Sequence, residues 1–253
     1  MPTDKAAAAV GRKRAPTLAS IEQSVVLLDW PTIDSSLNAH GCAVSGPALT
    51  ASECVSLAAS YPDDGLFRSR VVMSRHGFGR GEYKYFAYPL PGLVEGLRTA
   101  LYPHLADLAN RWNAAMGIDV RYPAIHASFL ERCHQAGQTK PTPLLLQYEP
   151  GDYNCLHQDL YGEHVFPLQA TVLLSDPAAG FSGGEFVLTE QRPRMQSRAE
   201  VVPLRQGEVV IFPVRHRPVQ GTRGIYRVNM RHGVSRIRAG RRHTLGIIFH
   251  DAK

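Results

Sequence analysis

Between Gln147 and Gly162 the sequence reads QYEPGDYNCLHQDLYG, and His157 and Asp159 inside it are separated by a single residue. A redox-active non-haem iron needs two imidazoles and one carboxylate on one face, with positions left open for an oxidant and a cosubstrate. One H-x-D pair is a weak signal by itself, so a second histidine must come from another strand. His232, in NMRHGVSRIRAGRRHTLGIIF, lies near the end of a predicted strand in the same β-rich region. Arg242 follows at the start of HTLGIIF, where a guanidinium can pair bidentately with a carboxylate. Its neighbours Arg241 and His243 alternate with it along the strand. They are therefore expected to face away, Arg241 as a solvent charge. His164, His216 and His250 read as surface or packing histidines.

The elements that must position these residues are visible as patterns. From Leu144 onward the chain is a series of short apolar runs punctuated by glycine and proline: PLLLQY, LQATVLLSD, GGEFVLTE, GEVVIFP, YRVNMRHGV and HTLGIIFHD. Such runs predict an all-β barrel or jelly roll. Gly183 and Gly184 read as a turn between strands, with no binding role. Thr171 and Asn154 are pocket candidates no stronger than an ordinary strand threonine and turn asparagine. Before this region, Leu93, Leu97, Leu101, Leu105, Leu108 and Trp112 step at helical spacing, and Pro103 should kink or split that helix. ASECVSLAAS follows a threonine N-cap, Thr50, and predicts a short helix, while SVVLLDW looks extended.

The 253 residues suit one domain with a full core, and the net charge of +6 leans toward an anionic partner. Cys42, Cys54, Cys133 and Cys155 form no CxxC motif and no dense framework, which points to reduced thiols and a cytoplasmic protein. No window could span a membrane, and MPTDKAAAAVGRKRAP carries too short an apolar run for a signal peptide. Residues 1–19 are expected to be a disordered basic tail. Residues 20–253 are expected to be one domain, with N-terminal helices and a lid at 20–143 and the β core at 144–253.

These motifs together resemble the iron(II)/2-oxoglutarate-dependent dioxygenase superfamily. YEPGDYNCLHQD is similar to the Y-x-P-G-(four residues)-L-H-Q-D segment of AlkB-type nucleic-acid demethylases, and RHGVSRIRAG to their distal-histidine segment. FSGGEFVLTE, RQGEVVIFP and HGVSRIRAGRRHTLGIIFHD resemble the prolyl-hydroxylase-like branch, whose cosubstrate arginine also comes early after the distal histidine. The likeness covers roughly residues 80–251 and implies a mainly β (α+β) fold, a double-stranded β-helix or jelly roll with supporting N-terminal helices. It also implies iron(II) on His157, Asp159 and His232, and 2-oxoglutarate held by Arg242 and Tyr148. The plainer, slightly weaker reading of Tyr148 is a core aromatic with a satisfied hydroxyl. O₂ and ascorbate as reductant belong to the same inheritance, as does C–H hydroxylation with release of succinate and CO₂.

Substrate class depends on what lies over the open face of the iron. FRSRVVMSRHGFGRGEYKYF sets Arg68, Arg70, Arg75, Arg80 and Lys84 among Phe67, Phe78, Tyr83, Tyr85 and Phe86. Basic side chains for phosphates and aromatic faces for a flipped base are what a nucleic-acid enzyme needs. A glycine-rich lid with a solvated charged face is the plainer reading. With the AlkB-like segment the balance tips to oxidative demethylation of alkylated DNA or RNA, with Arg75, Arg80, Tyr83 and Phe78 as substrate residues. Hydroxylation of a protein side chain or free amino acid is the alternative. A non-catalytic binding module stands third, because nothing structural demands four such polar groups around one pocket.

Overall fold

EVVIFP is apolar at successive positions, the pattern of a strand covered on both faces. The computed structural model, which describes residues 18–253, places it so. Val209 and Ile211 join a core shared with the helices, while Val210 and Phe212 pack against Phe186, Leu188 and Val202 of a second sheet.

Among the described residues, five α-helices lie before Leu144: α1 (Leu18–Val26), α2 (Trp30–His40), α3 (Ala51–Ala59), α4 (Gly92–Ala115) and α5 (His126–Gln135). The early strands are β1 (Ala43–Pro47), β2 (Phe67–Val72), β3 (Gly79–Arg80) and β4 (Glu82–Phe86). The central ones are β5 (Leu144–Tyr148), β6 (Tyr153–His157), β7 (Leu168–Leu173), β8 (Phe181–Gly183), β9 (Phe186–Gln191) and β10 (Ser197–Val202). The last are β11 (Glu208–Pro213), β12 (His216–Gly221), β13 (Gly224–Val234), β14 (Ile237–Gly240) and β15 (Arg242–Ile247). One sheet runs β1-β11-β7-β15-β5-β4-β2; the other runs β10-β9-β13-β6-β3, with β12 added beside β13. Every pairing is antiparallel, and β14 pairs β8 apart from both sheets. This is the expected mainly β jelly roll with helices on one side.

Several sequence expectations change. SVVLLDW is not extended: its first half completes α1, because Ile21 and Val25 stack one turn apart against α4, leaving Leu27 in solvent. Pro103 does not split α4, which runs unbroken; the proline sits on the exposed face while Leu101, Tyr102 and Leu105 stay buried beside it. Thr50 caps α3 as expected, in a reciprocal box with Glu53. Of the expected tail, residues 1–17 lie outside the described residues, and Leu18 and Ala19 already belong to α1. The segment at 65–88 forms strands that are built into both sheets. β2 and β4 extend the larger sheet through β5, and β3 pairs β6 of the smaller one.

Candidate active site

In β13 the buried positions Val228, Met230 and His232 recur every second residue and point between the sheets. Antiparallel pairing with β6 sets His232 directly opposite His157, and their rings lie 4.2 Å apart. Asp159, just past the end of β6, reaches back between them. His157 Nε2 lies 3.4 Å from its Oδ1 and His232 Nε2 lies 3.3 Å from its Oδ2. One ligand atom from each residue falls within 4.8 Å of the others, so these three could hold a metal. Among the described residues no other group of three or more His, Cys, Asp or Glu could do so.

Electrostatics suit a cation at this point. Burial alone would push the Asp159 carboxyl up, yet hydrogen bonds and charge from His157 and His232 hold it well below the usual carboxylate range. Burial pulls His157 down, but Asp159 more than restores it and holds it above the ordinary imidazole value. Burial and the His157 charge lower His232. His157 Nδ1 faces the Cys155 carbonyl at 2.8 Å, which can only accept, so Nδ1 carries a proton and Nε2 is turned to the cluster.

A cavity of about 190 Å³ opens beside the cluster. One wall holds the pair Arg242 and Tyr148, opposite each other in β15 and β5. Arg242 is fully buried and carries no ion pair; its Nε and Nη1 have no hydrogen-bond partner, and burial lowers its pKa to about 10. Its guanidinium is flanked by the Tyr148 and Phe181 rings at 5.7 and 5.9 Å. The buried Tyr148 hydroxyl, pushed up to about 12 by burial, lies near the Asn154 amide but makes no well-formed hydrogen bond. An unpaired buried guanidinium is costly unless an anion meets it, so this wall fits a carboxylate ligand. Gly184, read from sequence as a plain turn, is also needed here. With φ at +67°, its added Cβ would fall 2.2 Å from Ile237 Cδ1 and 2.8 Å from Arg242 Cδ.

Strand alternation separates the neighbours as expected. Arg241 is exposed and pairs Glu149, while His243 turns to Gln147 and the Tyr61 ring. Thr171 lines the cavity. Phe78 and Tyr83 also line it, Phe78 with 48% of its surface exposed at the mouth. Arg75 and Arg80 do not line it; both are exposed, and Arg80 stands 3.9 Å from Asp152. The other cations of this segment are tied to protein. Lys84 is buried on Asp64 and Tyr61, Arg70 pairs Glu82, and Arg68 lies over the Tyr85 ring and donates to the Pro141 carbonyl.

Sequence reasoning missed Gln169 and Tyr161. Gln169 Nε2 is 3.0 Å from Asp159 Oδ2, and the Tyr161 hydroxyl is 2.7 Å from Oδ1. Phe212, whose ring lies tilted against His232 at 4.7 Å, was also missed. The only available signal was Gln169 itself, a polar residue in the mostly apolar run LQATVLL.

Comparison with known proteins decides the family. The family Oxygenase-NA, described as "Oxygenase, catalysing oxidative methylation of damaged DNA", matches residues 81–252. The chain belongs to this family. It is an oxidoreductase of the 2-oxoglutarate/iron(II) dioxygenase superfamily, and the matched span holds the whole cluster and Arg242. "Uncharacterized protein Rv2227" of Mycobacterium tuberculosis is 49% identical over 167 residues, 66% of this chain and 72% of its own length. Two solved structures share the fold. An oxidoreductase of the 2OG-Fe(II) oxygenase family from Burkholderia pseudomallei has a TM-score of 0.53 at 15% identity, covering 88% of this chain and 92% of that one. A prolyl hydroxylase in complex with a hypoxia inducible factor peptide fragment, from Trichoplax adhaerens, has a TM-score of 0.54 at 13% identity, covering 91% of each chain. Iron(II) and 2-oxoglutarate are the cofactor and cosubstrate this superfamily implies. No helix among the described residues is long and apolar enough to cross a membrane.

Proposed function

We propose that this oxygenase oxidises the alkyl group of a damaged nucleic-acid base, with iron(II) held by His157, Asp159 and His232 and 2-oxoglutarate anchored by Arg242. The carrying observation is the buried Arg242, with two unpartnered nitrogens, in the same cavity as the three-residue cluster. Its fork meets the distal carboxylate of a dicarboxylate, and Tyr148 adds a hydroxyl donor on the same wall. When bound, iron and 2-oxoglutarate supply activation of O₂ with release of succinate and CO₂. The chain orients His157 through the Cys155 carbonyl, and Leu146, Phe186 and Ile247 keep the cavity wall apolar. O₂ as oxidant, ascorbate as external reductant, a single domain over residues 20–253 and a cytoplasmic location belong to the same proposal; the four free thiols support the last.

The family description supports damaged DNA as substrate, and so does the exposed Phe78 face beside Tyr83 at the mouth. One observation favours the second reading, hydroxylation of a protein side chain or free amino acid. Three of the five cations expected to meet phosphate already have protein partners, Lys84 and Arg68 away from solvent and Arg70 at the surface on Glu82. The test is a substrate panel of methylated DNA and RNA oligonucleotides against peptides and amino acids, scored by mass change and succinate release. Loss of methyl mass from an oligonucleotide is the expected result. Oxygen added to a peptide or amino acid, with no change in any oligonucleotide, overturns the nucleic-acid reading and leaves the iron and 2-oxoglutarate assignment standing.

A further inference from the structure

Asp159 carries a hydrogen-bond donor on each oxygen besides the two histidines: Gln169 Nε2 on Oδ2 and the Tyr161 hydroxyl on Oδ1. The Tyr161 hydroxyl has one proton and gives it to a carboxylate that can only accept, so toward Tyr85 it must accept. Tyr85 Oη lies 3.2 Å away and donates. The direction of the chain Tyr85 to Tyr161 to Asp159 is thereby set by the charge at its end.

Tyr161 is held at its backbone as well. Gln138, fully buried in the loop after α5, donates through Nε2 to the carbonyls of Tyr161, His164 and Asp251. It accepts through Oε1 from the backbone of Glu163 at 2.9 Å and His164 at 2.8 Å. Gly162 lets the turn pass over that amide, because with φ at +84° an added Cβ would meet Gln138 at 2.4 Å. One buried side chain therefore ties the turn that follows Asp159 to the C-terminal segment, and it aims the Tyr161 ring back at the carboxylate.

The geometry points to Tyr161 as a positioning residue that sets the orientation of Asp159 for metal binding, with Tyr85 as its anchor on β4. This rests on the reading of Asp159 as a metal ligand. Tyr85 packs edge-on against Tyr83, 5.3 Å between centroids, and Tyr83 lines the cavity. The strand β4 beside the mouth is thus joined to the metal carboxylate by two hydroxyls. Nothing in LHQDLYG marks this role, because a tyrosine two residues past an aspartate is ordinary turn composition.

The experiment titrates Co(II) into the metal-free full chain of the wild type, Asp159→Ala, Tyr161→Phe, Tyr85→Phe and the double tyrosine variant. Affinity and the visible d–d bands of the bound ion are both read. Loss of the outer partner of a metal ligand weakens metal binding by about ten- to a hundredfold, and that is expected for Tyr161→Phe, with altered band shape. Tyr85→Phe should weaken binding by about threefold. The double variant should be no weaker than Tyr161→Phe alone, because Tyr85 acts only through Tyr161. A merely structural tyrosine would lower thermal stability and leave the bands of the loaded protein unchanged. Tyr161→Phe binding within twofold of wild type, with superposable bands, overturns the inference provided Asp159→Ala has lost the metal. Retention of wild-type affinity by Asp159→Ala overturns the ligand reading beneath it.

Discussion

The two ends of the cavity are built on opposite principles. At the closed end, Arg242 and Tyr148 are fully buried, face each other across a regular β15–β5 ladder, and leave polar atoms without partners. At the open end, Phe78 and Arg80 stand in solvent on a two-residue strand and its approach, Arg70 pairs Glu82 at the surface, and Lys84 and Arg68 are satisfied by protein neighbours. A buried unsatisfied group is expensive and persists only where a ligand completes it, whereas exposed groups are solvated whether or not anything binds. The closed end therefore states what it binds in its own chemistry. The mouth states only a composition.

The largest test of this contrast is at the cluster between the two ends. Replacing His157 or His232 by alanine should abolish stoichiometric iron, measured by metal analysis of purified protein, and lower turnover more than a thousandfold; full retention by both breaks the assignment. Next comes Arg242→Met, which should raise the 2-oxoglutarate requirement by roughly ten- to a thousandfold, on the order of 1.5–4 kcal/mol for a lost charge-assisted pair. The same substitution removes an unpaired buried cation, so the ligand-free variant should unfold at a higher temperature than wild type. Arg241→Met should change neither quantity. If it were Arg241 that mattered, the phase of β15 would have to be redrawn.

Two buried histidines, His126 on α5 and His250 in the C-terminal segment, add a pH dependence. Burial lowers His126 and His250 to about 4, so the unfolded chain, with ordinary imidazoles, binds more protons than the folded one between about pH 6.5 and 4. Stability should rise with pH through that window and be lost on acidification, on the order of 3 kcal/mol for each histidine at full effect. Thermal midpoints measured from pH 7.5 to 4.5 should fall accordingly, and His250→Gln should flatten the curve; a flat wild-type profile contradicts it.

The smallest effects belong to the mouth. Neutralising Arg75 and Arg80 together should remove about two units from the salt slope of oligonucleotide binding. Phe78→Ala should lower turnover by about 1 kcal/mol of base stacking, severalfold, with the salt slope unchanged. Unchanged binding in both variants would move the phosphate path elsewhere on the protein.

Much of the site was legible because its residues are chemically unusual where they stand. A histidine and an arginine inside apolar strand runs, NMRHGV and RHTLGII, have few reasons to be there, and period-two alternation already separates Arg242 from Arg241 and His243. The strands from Leu144 onward were legible for the same reason of periodicity. Less so were α2, α5 and β12. HRPVQG contains Pro218, which demotes it to the edge position it in fact occupies, paired only with β13. In SVVLLDW an apolar run shorter than two helical turns does not distinguish strand from helix, and packing of Ile21 and Val25 against α4 decided it.

By itself, then, the sequence determined the donor types, the strand phase and the jelly-roll class, since each follows from side-chain chemistry and local periodicity. Tertiary structure decided everything that depends on register between distant strands. It set His232 opposite His157, and it placed Gln169 and Tyr161 on the two oxygens of Asp159. It also gave Arg68, Arg70 and Lys84 protein partners that a charge count cannot foresee. The physical reason is that hydrogen bonds and ion pairs act over a few ångströms, while the residues that make them here lie on strands and turns far apart along the chain.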